Sequence, residues 1–509
     1  MKKIYFPIVF SLILIFDKTA AVVICYHGTW SHYRSGNGNF PISLTPTDLC
    51  THYIYAFAGL DASTNQVVSL DSWLDFNLNG FQNAIALKQS NKDLKVLLAV
   101  GGYSQGSARF SNMAAHQSTR ATFIQSALTF VQTHGFDGLD LDWEYPARRD
   151  GQAQDKENFA LLVKELYEVF NPLGLILTSA VSAVHVDVSY DVPTLSQYLD
   201  YINLMLYDFH GFWDTHAYHN APLYSTSKLA GTSSAGFSVN ASVHQWIEAG
   251  ASPSKLALGI PLYGRTAILS SASNTSPGAP TTSQGAHAGP YTGTVGFWGY
   301  NEIVEQFQNG DWTLEWDDEQ EVPYAYKGTT WLTYDNGRSI GQKVEFANDL
   351  GLGGIMVWSI ETDDAYGVSD IRFPLLKAIQ NALDTSRPNS STTSSVSSTT
   401  SSTAPVTSET TSSSQKTSTT TAAETTTTTT TPTSTTTQGK PSSDSRRIKD
   451  ANSCVTEGFF GSSVDCSIYF YCQSVDNGHV GYSFMCSQGL VYDTTFGICN
   501  YPALVDCSN

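Results

Sequence analysis

Basic residues are scarce in this chain: 27 Lys and Arg stand against 46 Asp and Glu, for a formal net charge of −19. A nucleic-acid binder would carry basic patches, so that class is excluded. An anionic substrate is disfavoured, although a local pocket can oppose the global sign. Charged residues of both signs make up only 14 % of the chain, against about 25 % in an ordinary soluble domain. Between Pro388 and Gly439 the only charged side chains are Glu409, Lys416 and Glu424. Cysteine is missing between Cys50 and Cys454, so disulfides cannot hold the bulk of the fold together. Long apolar runs are missing as well. The run Ile4–Phe16 has 13 residues, short of the roughly 20 needed to cross a bilayer. No GxGxxG loop opens a helix after a strand, which disfavours a dinucleotide-binding domain.

What is present divides the chain. Met1-Lys2-Lys3 ahead of Ile4–Phe16, with the small residues Thr19-Ala20-Ala21 behind, reads as a signal peptide over 1–21. A secreted protein without a membrane anchor follows. Eight cysteines agree with an oxidising compartment. Cys25 and Cys50 lie near the start, and Cys454, Cys466, Cys472, Cys486, Cys499 and Cys507 crowd the end. Zinc is the competing reading of such a cluster, but there is no CxxC pair and no interleaved His at ligand spacing. No metal and no cofactor are expected. Residues 386–450 collapse to Ser and Thr with scattered Pro, a composition that cannot offset its ordering entropy and reads as a disordered, O-glycosylated stalk. A large domain over 22–385 and a disulfide-rich domain over 451–509 remain. Asn240-Ala241-Ser242, Asn274-Thr275-Ser276 and Asn389-Ser390-Ser391 have the form of N-glycosylation acceptors.

The large domain repeats short β-branched runs separated by helical patterns. Strands are expected at Val22–Tyr26, Tyr53–Phe57, Lys95–Val100, Gly138–Trp143, Leu175–Val181, Tyr201–Tyr207, Leu256–Ile260 and Gly354–Ser359. Helices are expected at Thr119–Thr133 and Lys156–Phe170, each with an apolar stripe. Eight strands alternating with helices predict an α/β fold, a (β/α)8 TIM barrel. Between Ile260 and Gly354 the spacing is too long for one unit, so a small α+β subdomain is expected as an insertion over about 266–340.

One segment concentrates the chemistry: Phe136-Asp137-Gly138-Leu139-Asp140-Leu141-Asp142-Trp143-Glu144-Tyr145-Pro146. Side chains alternate faces along a strand. Asp140, Asp142 and Glu144 therefore share one face, and Leu139, Leu141 and Trp143 the other. The apolar face packs under helices, so the acids project into the barrel toward its C-terminal mouth. Like charges this close push their pKa values apart, and Glu144, last in the row, is best placed as a general acid. A structural hydrogen-bond network or a divalent-cation site is the alternative.

The string Asp137-x-x-Asp140-x-Asp142-x-Glu144 resembles the signature of the family 18 glycoside hydrolases, the chitinases. Further segments fit in chain order: Gly101-Gly102, Met205-Leu206-Tyr207-Asp208, Gly259-Ile260-Pro261-Leu262-Tyr263-Gly264-Arg265, and Gly353-Gly354-Ile355-Met356-Val357-Trp358-Ser359 followed by Asp363-Asp364. Cys25-Tyr26 and Tyr55-Ala56-Phe57-Ala58-Gly59 are similar to the secreted, insect-type branch. The resemblance implies a substrate-assisted reaction, outside the usual two-carboxylate scheme. Glu144 would protonate the glycosidic oxygen, and the sugar's 2-acetamido oxygen would attack the anomeric carbon. Asp142 would orient the acetamido group, and Asp140 would share a proton with Asp142 and tune its pKa. Tyr207 would hydrogen-bond the acetamido oxygen, with Asp208 and Met205 beside it, and Trp358 would lie under the sugar. Tyr26, Phe57, Trp213, Tyr263 and Arg265 would line the cleft, ordinary packing being the alternative for each. The chain departs from the family at Ala99, where Ser is common, at Tyr103, where Trp is common, and at Val304, where Cys is usual.

The terminal cysteines follow the spacing C-x11-C-x5-C-x13-C-x12-C-x7-C, and six cysteines allow 15 pairings. The pattern, with Tyr492-Asp493, Phe496 and Cys499-Asn500, resembles the peritrophin-A chitin-binding module. That resemblance implies Cys454–Cys472, Cys466–Cys507 and Cys486–Cys499; at the other end of the chain Cys25–Cys50 is the expected pair. The resulting expectation is a monomeric, secreted, endo-acting chitinase whose partners are chitin and chitin oligosaccharides. A non-hydrolytic, lectin-like chitin binder on the same barrel is the alternative. An endoglycosidase acting on N-glycans is disfavoured by the terminal module.

Overall fold

The structure, a computed structural model, describes residues 21–282, 286–385, 447–449, 453, 458–463, 466–475, 478–485, 491–493 and 498–500. The expected signal peptide, apart from Ala21, and nearly all of the expected stalk lie outside the described residues. Two compact units separate between Ser390 and Ser391, and each is described by itself.

The first unit is a closed parallel barrel. Its strands are β1 (Val22–Gly28), β2 (His52–Asp61), β3 (Lys95–Gly101), β4 (Gly138–Asp142), β5 (Ile176–Ser182), β6 (Tyr201–Met205), β7 (Leu256–Pro261) and β8 (Gly354–Trp358). Each lies within a few residues of an expected run. Neighbours pair in parallel around the sheet, and β1 pairs with both β2 and β8, which closes it. The hairpin strand Gln66–Ser69 adds an antiparallel edge to β2. Between β3 and β4 runs the helix Gln117–His134, burying Phe123, Ala127 and Val131; it ends at Gly135, whose φ of +80° suits a residue without Cβ. Between β4 and β5 runs Asp155–Phe170, burying Phe159, Leu162, Val163 and Leu166.

Alternation along the strands creates two cores. The outward residues Val23, Cys25, Leu139, Leu141 and Trp143 join one continuous cluster under the helices. The inward residues Ile24, Tyr26, Ile54, Ala56, Leu97, Ala99, Ala180, Ala257 and Met356 form a second, inside the barrel. Four alanines in the inner set keep the side chains beside the acids of β4 small. Cys25 and Cys50 are disulfide-bonded with their Cα atoms 6.0 Å apart, tying β1 to the segment leading into β2.

The insertion differs from the expected 266–340 at both ends. It begins at Tyr263, two residues after the end of β7, and its last strand ends at Thr333. Five antiparallel strands are ordered Phe297–Gly299, Tyr263–Ile268, Thr330–Thr333, Val322–Lys327, Thr313–Asp317, with the helix Tyr300–Phe307 between them in the chain. The early start follows from pairing: Tyr263, Gly264 and Arg265 already bond to Gly299, Trp298 and Phe297. The helix Gly337–Asp349, capped by the Asn336 side chain, belongs to the barrel and packs on Pro374–Thr385. Asn240 opens the helix Val239–Glu248, whereas Asn274 lies exposed in a loop of the insertion.

The second unit holds a sheet ordered Arg447–Ile448, Gly458–Ser462, Ile468–Val475, Gly478–Met485, and a pair Val491–Asp493 with Ile498–Asn500. Cys466 is disulfide-bonded. The pairings Cys454–Cys472, Cys466–Cys507 and Cys486–Cys499 each include one residue outside those described, Cys454, Cys507 and Cys486. No helix among the described residues is long and apolar enough to cross a membrane.

Candidate active site

The acids of β4 face the barrel interior at its C-terminal end. Asp140 stands between Ala99 of β3 and Thr178 of β5 in register. Ala99 offers it no hydroxyl, but Thr178 does: its Oγ1 donates to Asp140 Oδ1 at 2.5 Å. Asn203 of β6 donates through Nδ2 to the same oxygen at 3.3 Å and to the Tyr26 hydroxyl at 2.9 Å. Burial pushes Asp140 up to about 6, with the contacts from Thr178, Tyr26 and Asn203 pulling the other way. Asp142 is pushed well up by burial, then by the charges of Glu144 and Asp140. Asp140 Oδ2 and Asp142 Oδ1 are both buried without a hydrogen-bond partner. Both oxygens stand on neighbouring inward positions of one strand.

Glu144 lies two residues beyond the strand, which stops at Asp142 rather than at the expected Trp143. It remains buried, at 8 % exposure. Burial raises its carboxyl to about 7; Tyr145 and the Arg149 charge lower it, and the Asp208 charge raises it. A carboxyl with this affinity for its proton can donate it at neutral pH. The neighbour Trp143 turns outward, stacked against Phe110 with ring centroids 5.7 Å apart, and donates Nε1 to Ser107 Oγ at 2.7 Å.

Aromatic rings form the floor. Trp358, the last residue of β8, lies 5.7 Å from Phe57 in a stacked arrangement and 5.8 Å from Tyr26. Trp30 continues the stack, 6.2 Å from both Phe57 and Trp358, and is 43 % exposed. Tyr26 itself is buried. It supports the floor and joins the Asp140 network rather than forming a wall. Tyr207 is half-buried just past β6, its hydroxyl 3.8 Å from Met356 Sδ, with Met205 at the strand end. Burial, and then the charge of Asp142, hold the Tyr207 phenol well above its ordinary value, so it acts as a donor. Asp208, at φ +58°, accepts from Tyr263 Oη at 2.6 Å and from Arg265 Nε at 2.8 Å. Arg265 thus ties the insertion to the end of β6, and it lies 5.2 Å from the ring of the exposed Trp213.

Asp140, Asp142, Glu144, Tyr207, Met205, Trp358 and Phe57 therefore gather at one mouth, with Asp208, Arg265 and Trp213 along one side; Tyr263, expected to line the cleft, is buried and supports Asp208 from behind. Trp30, Thr178, Asn203, Ser107 and Arg149 escaped the sequence reading. Asn203 had a signal, because it shares the inward period of Met205 and Tyr207; the loop residues had none. Among the described residues no group of three or more His, Cys, Asp or Glu side chains is arranged to hold a metal ion.

Residues 22–363 match the model of Glycosyl hydrolases family 18, and residues 454–507 that of the Chitin binding Peritrophin-A domain. The chain is 42 % identical to "Probable chitinase 2" of Drosophila melanogaster over 68 % of its own length and 73 % of that protein's. It is 38 % identical to "Endochitinase" of Manduca sexta, over 72 % of this chain and 68 % of the other. A crystal structure of Ostrinia furnacalis Group IV chitinase in complex with allosamidin superposes with a TM-score of 0.70 at 45 % identity. That match covers 72 % of this chain and all of that one.

Proposed function

The chain belongs to the glycosyl hydrolases of family 18, and from that premise we propose that it is a secreted, endo-acting chitinase cleaving β-1,4 links of N-acetylglucosamine polymers. One observation carries the reading: three buried carboxyls occupy successive inward positions at the mouth of β4, and the outermost holds its proton near neutrality. The named relatives and the terminal module support the same substrate class.

In the reaction, Glu144 gives its proton to the oxygen of the leaving sugar. The bound sugar's acetamido oxygen attacks the anomeric carbon from the other face, forming an oxazolinium ion. Asp142 turns its free oxygen to the acetamido N–H and balances the positive charge that develops; the proton shared with Asp140 makes that turn possible. Tyr207 donates to the acetamido oxygen. Glu144, now a carboxylate, takes a proton from the water that opens the ring, so configuration is retained. Trp358, with Phe57 and Trp30 beside it, offers a flat apolar surface for the C–H faces of the sugars. The terminal module would hold the barrel near an insoluble polymer and raise its effective concentration there, and segment 386–450 would join the two. The enzyme would act outside the cell as a monomer.

Hydrolysis of chitin oligomers by wild type and by Glu144→Gln tests the assignment. The variant should lose at least about 100-fold in kcat, as expected when a general acid is removed, while still binding allosamidin. Equal turnover by both proteins would overturn the role of Glu144. A wild type that binds chitin oligomers without cleaving them would favour the lectin-like alternative.

A further inference from the structure

The loops leaving β3 and β4 are stitched together at three places around Glu144. Gly102 donates its N–H to the Asp142 carbonyl at 2.8 Å. Arg149 Nη1 donates at 3.1 Å to both the Glu144 and the Tyr103 carbonyls, and its guanidinium lies over the Tyr103 ring, 3.8 Å from the centroid. Ser107 Oγ donates to the Tyr145 carbonyl at 2.7 Å and accepts from Trp143 Nε1 at the same distance. The residues before and after Glu144 are therefore fixed by one buried hydroxyl, and its own carbonyl by one guanidinium. Neither side chain belongs to the row of acids.

We propose that Ser107 and Arg149 are positioning residues for the general acid: they fix the peptide that carries Glu144 just beyond the end of its strand. The need is geometric. A residue on β4 is held by ladder hydrogen bonds on both sides, but Glu144 lies past the last of them. Proton transfer demands the carboxyl within hydrogen-bond reach of the leaving oxygen, and small displacements are costly. Ser107 supplies the missing constraint where the chain is buried, and Arg149 supplies it at the exposed lip.

Arg149 adds a positive charge beside a carboxyl that must be protonated to act. The groups facing Glu144 are Asp142 on its strand, Tyr145 and Arg149 in its own loop, the Tyr103 backbone from β3, Tyr190 from the loop after β5, and Tyr207 and Asp208 from β6. Among them Arg149 is the cation, and its removal leaves the acid holding its proton to higher pH.

The inference rests on the proposed hydrolytic role of Glu144. The experiment compares wild type, Ser107→Ala, Arg149→Met, Arg149→Lys and Glu144→Gln on a soluble chitin oligomer. For each, kcat, KM and the pH profile are measured alongside allosamidin binding and thermal melting. Ser107→Ala and Arg149→Met should each lower kcat about 10-fold, with KM and allosamidin affinity close to wild type. Arg149→Met should also move the alkaline limb of kcat/KM upward. Arg149→Lys should restore that limb but not the full kcat, because an ammonium cannot bridge two carbonyls and cover a ring as a planar guanidinium does. Wild-type kcat and an unmoved alkaline limb in both Ser107→Ala and Arg149→Met would overturn the proposal. So would a loss of kcat matched by an equal loss of allosamidin binding. If wild type and Glu144→Gln turned over alike, the hydrolytic role itself would fail, an outcome separable from the others.

Discussion

Asp140 has no solvent exposure, and its ordinary affinity for protons is raised by that burial to about 6. The folded protein thus binds this proton more tightly than the unfolded chain does. The linked stability is fully present below about pH 4, the unfolded carboxylate range, and is lost as pH rises through about 6. Asp140→Asn removes the ionisation and keeps an oxygen for Thr178 and Asn203. Thermal melts should show the variant more stable than wild type at pH 7.5, by about 3 kcal/mol, with the difference shrinking toward pH 4. Its kcat should fall, since Asp142 loses the partner for its shared proton. Identical melting at both pH values would remove Asp140 from the stability balance. The acids were legible in the sequence because a two-residue period assigns a face to every side chain on a strand, whereas Tyr207 was reached through the resemblance to the family. Trp30, Ser107 and Arg149 were not, because they sit on loops, where no period says which way a side chain points.

At the scale of elements, strand positions were the easiest to read, since buried parallel strands are nearly continuous β-branched runs bounded by polar residues. Their ends were harder. The expected strand over Gly138–Trp143 stops at Asp142, and the insertion starts at Tyr263 rather than near 266. In both cases the apolar pattern continues across the boundary and only the change of pairing partner marks it. The Cys25–Cys50 bridge closes a loop of sequence separation 25 at the first turn of the barrel. Such a loop is worth about 3 kcal/mol in the chain-entropy account. Replacing both cysteines by alanine should lower denaturant stability by roughly that amount and leave kcat near wild type, because neither sulfur approaches the acids. Unchanged stability of the double variant would show that the reduced chain already holds those ends together.

For the molecule as a whole, the composition separated three regions before any fold was assigned. A cysteine-free stretch, a nearly uncharged Ser/Thr segment and a cysteine-dense end are differences of kind. The net charge of −19 carried less information, because three carboxyls on and just beyond one strand matter more to the chemistry than the remaining excess. The peritrophin-A match predicts a division of labour. Truncation after Asp384 should sharply reduce retention on insoluble chitin while sparing hydrolysis of soluble oligomers, as measured by pull-down and oligomer kinetics on the two forms. Equal retention would assign polymer binding to the barrel alone.

The two ends of the insertion are neighbours. Tyr263–Ile268 and Thr330–Thr333 pair antiparallel, with Thr333 opposite Arg265, so the chain leaves the barrel and returns to it through adjacent strands. An element with touching ends is a cassette: it can be lengthened, shortened or exchanged without altering the barrel's strand count or shear. The seam is not neutral, however, because Tyr263 and Arg265 lie on the cassette side and bond to Asp208 on the barrel side. A graft cut at the seam would carry away half of that contact. A chimera therefore inherits its cleft wall and the anchor for Asp208 together, which couples the evolution of one to the other.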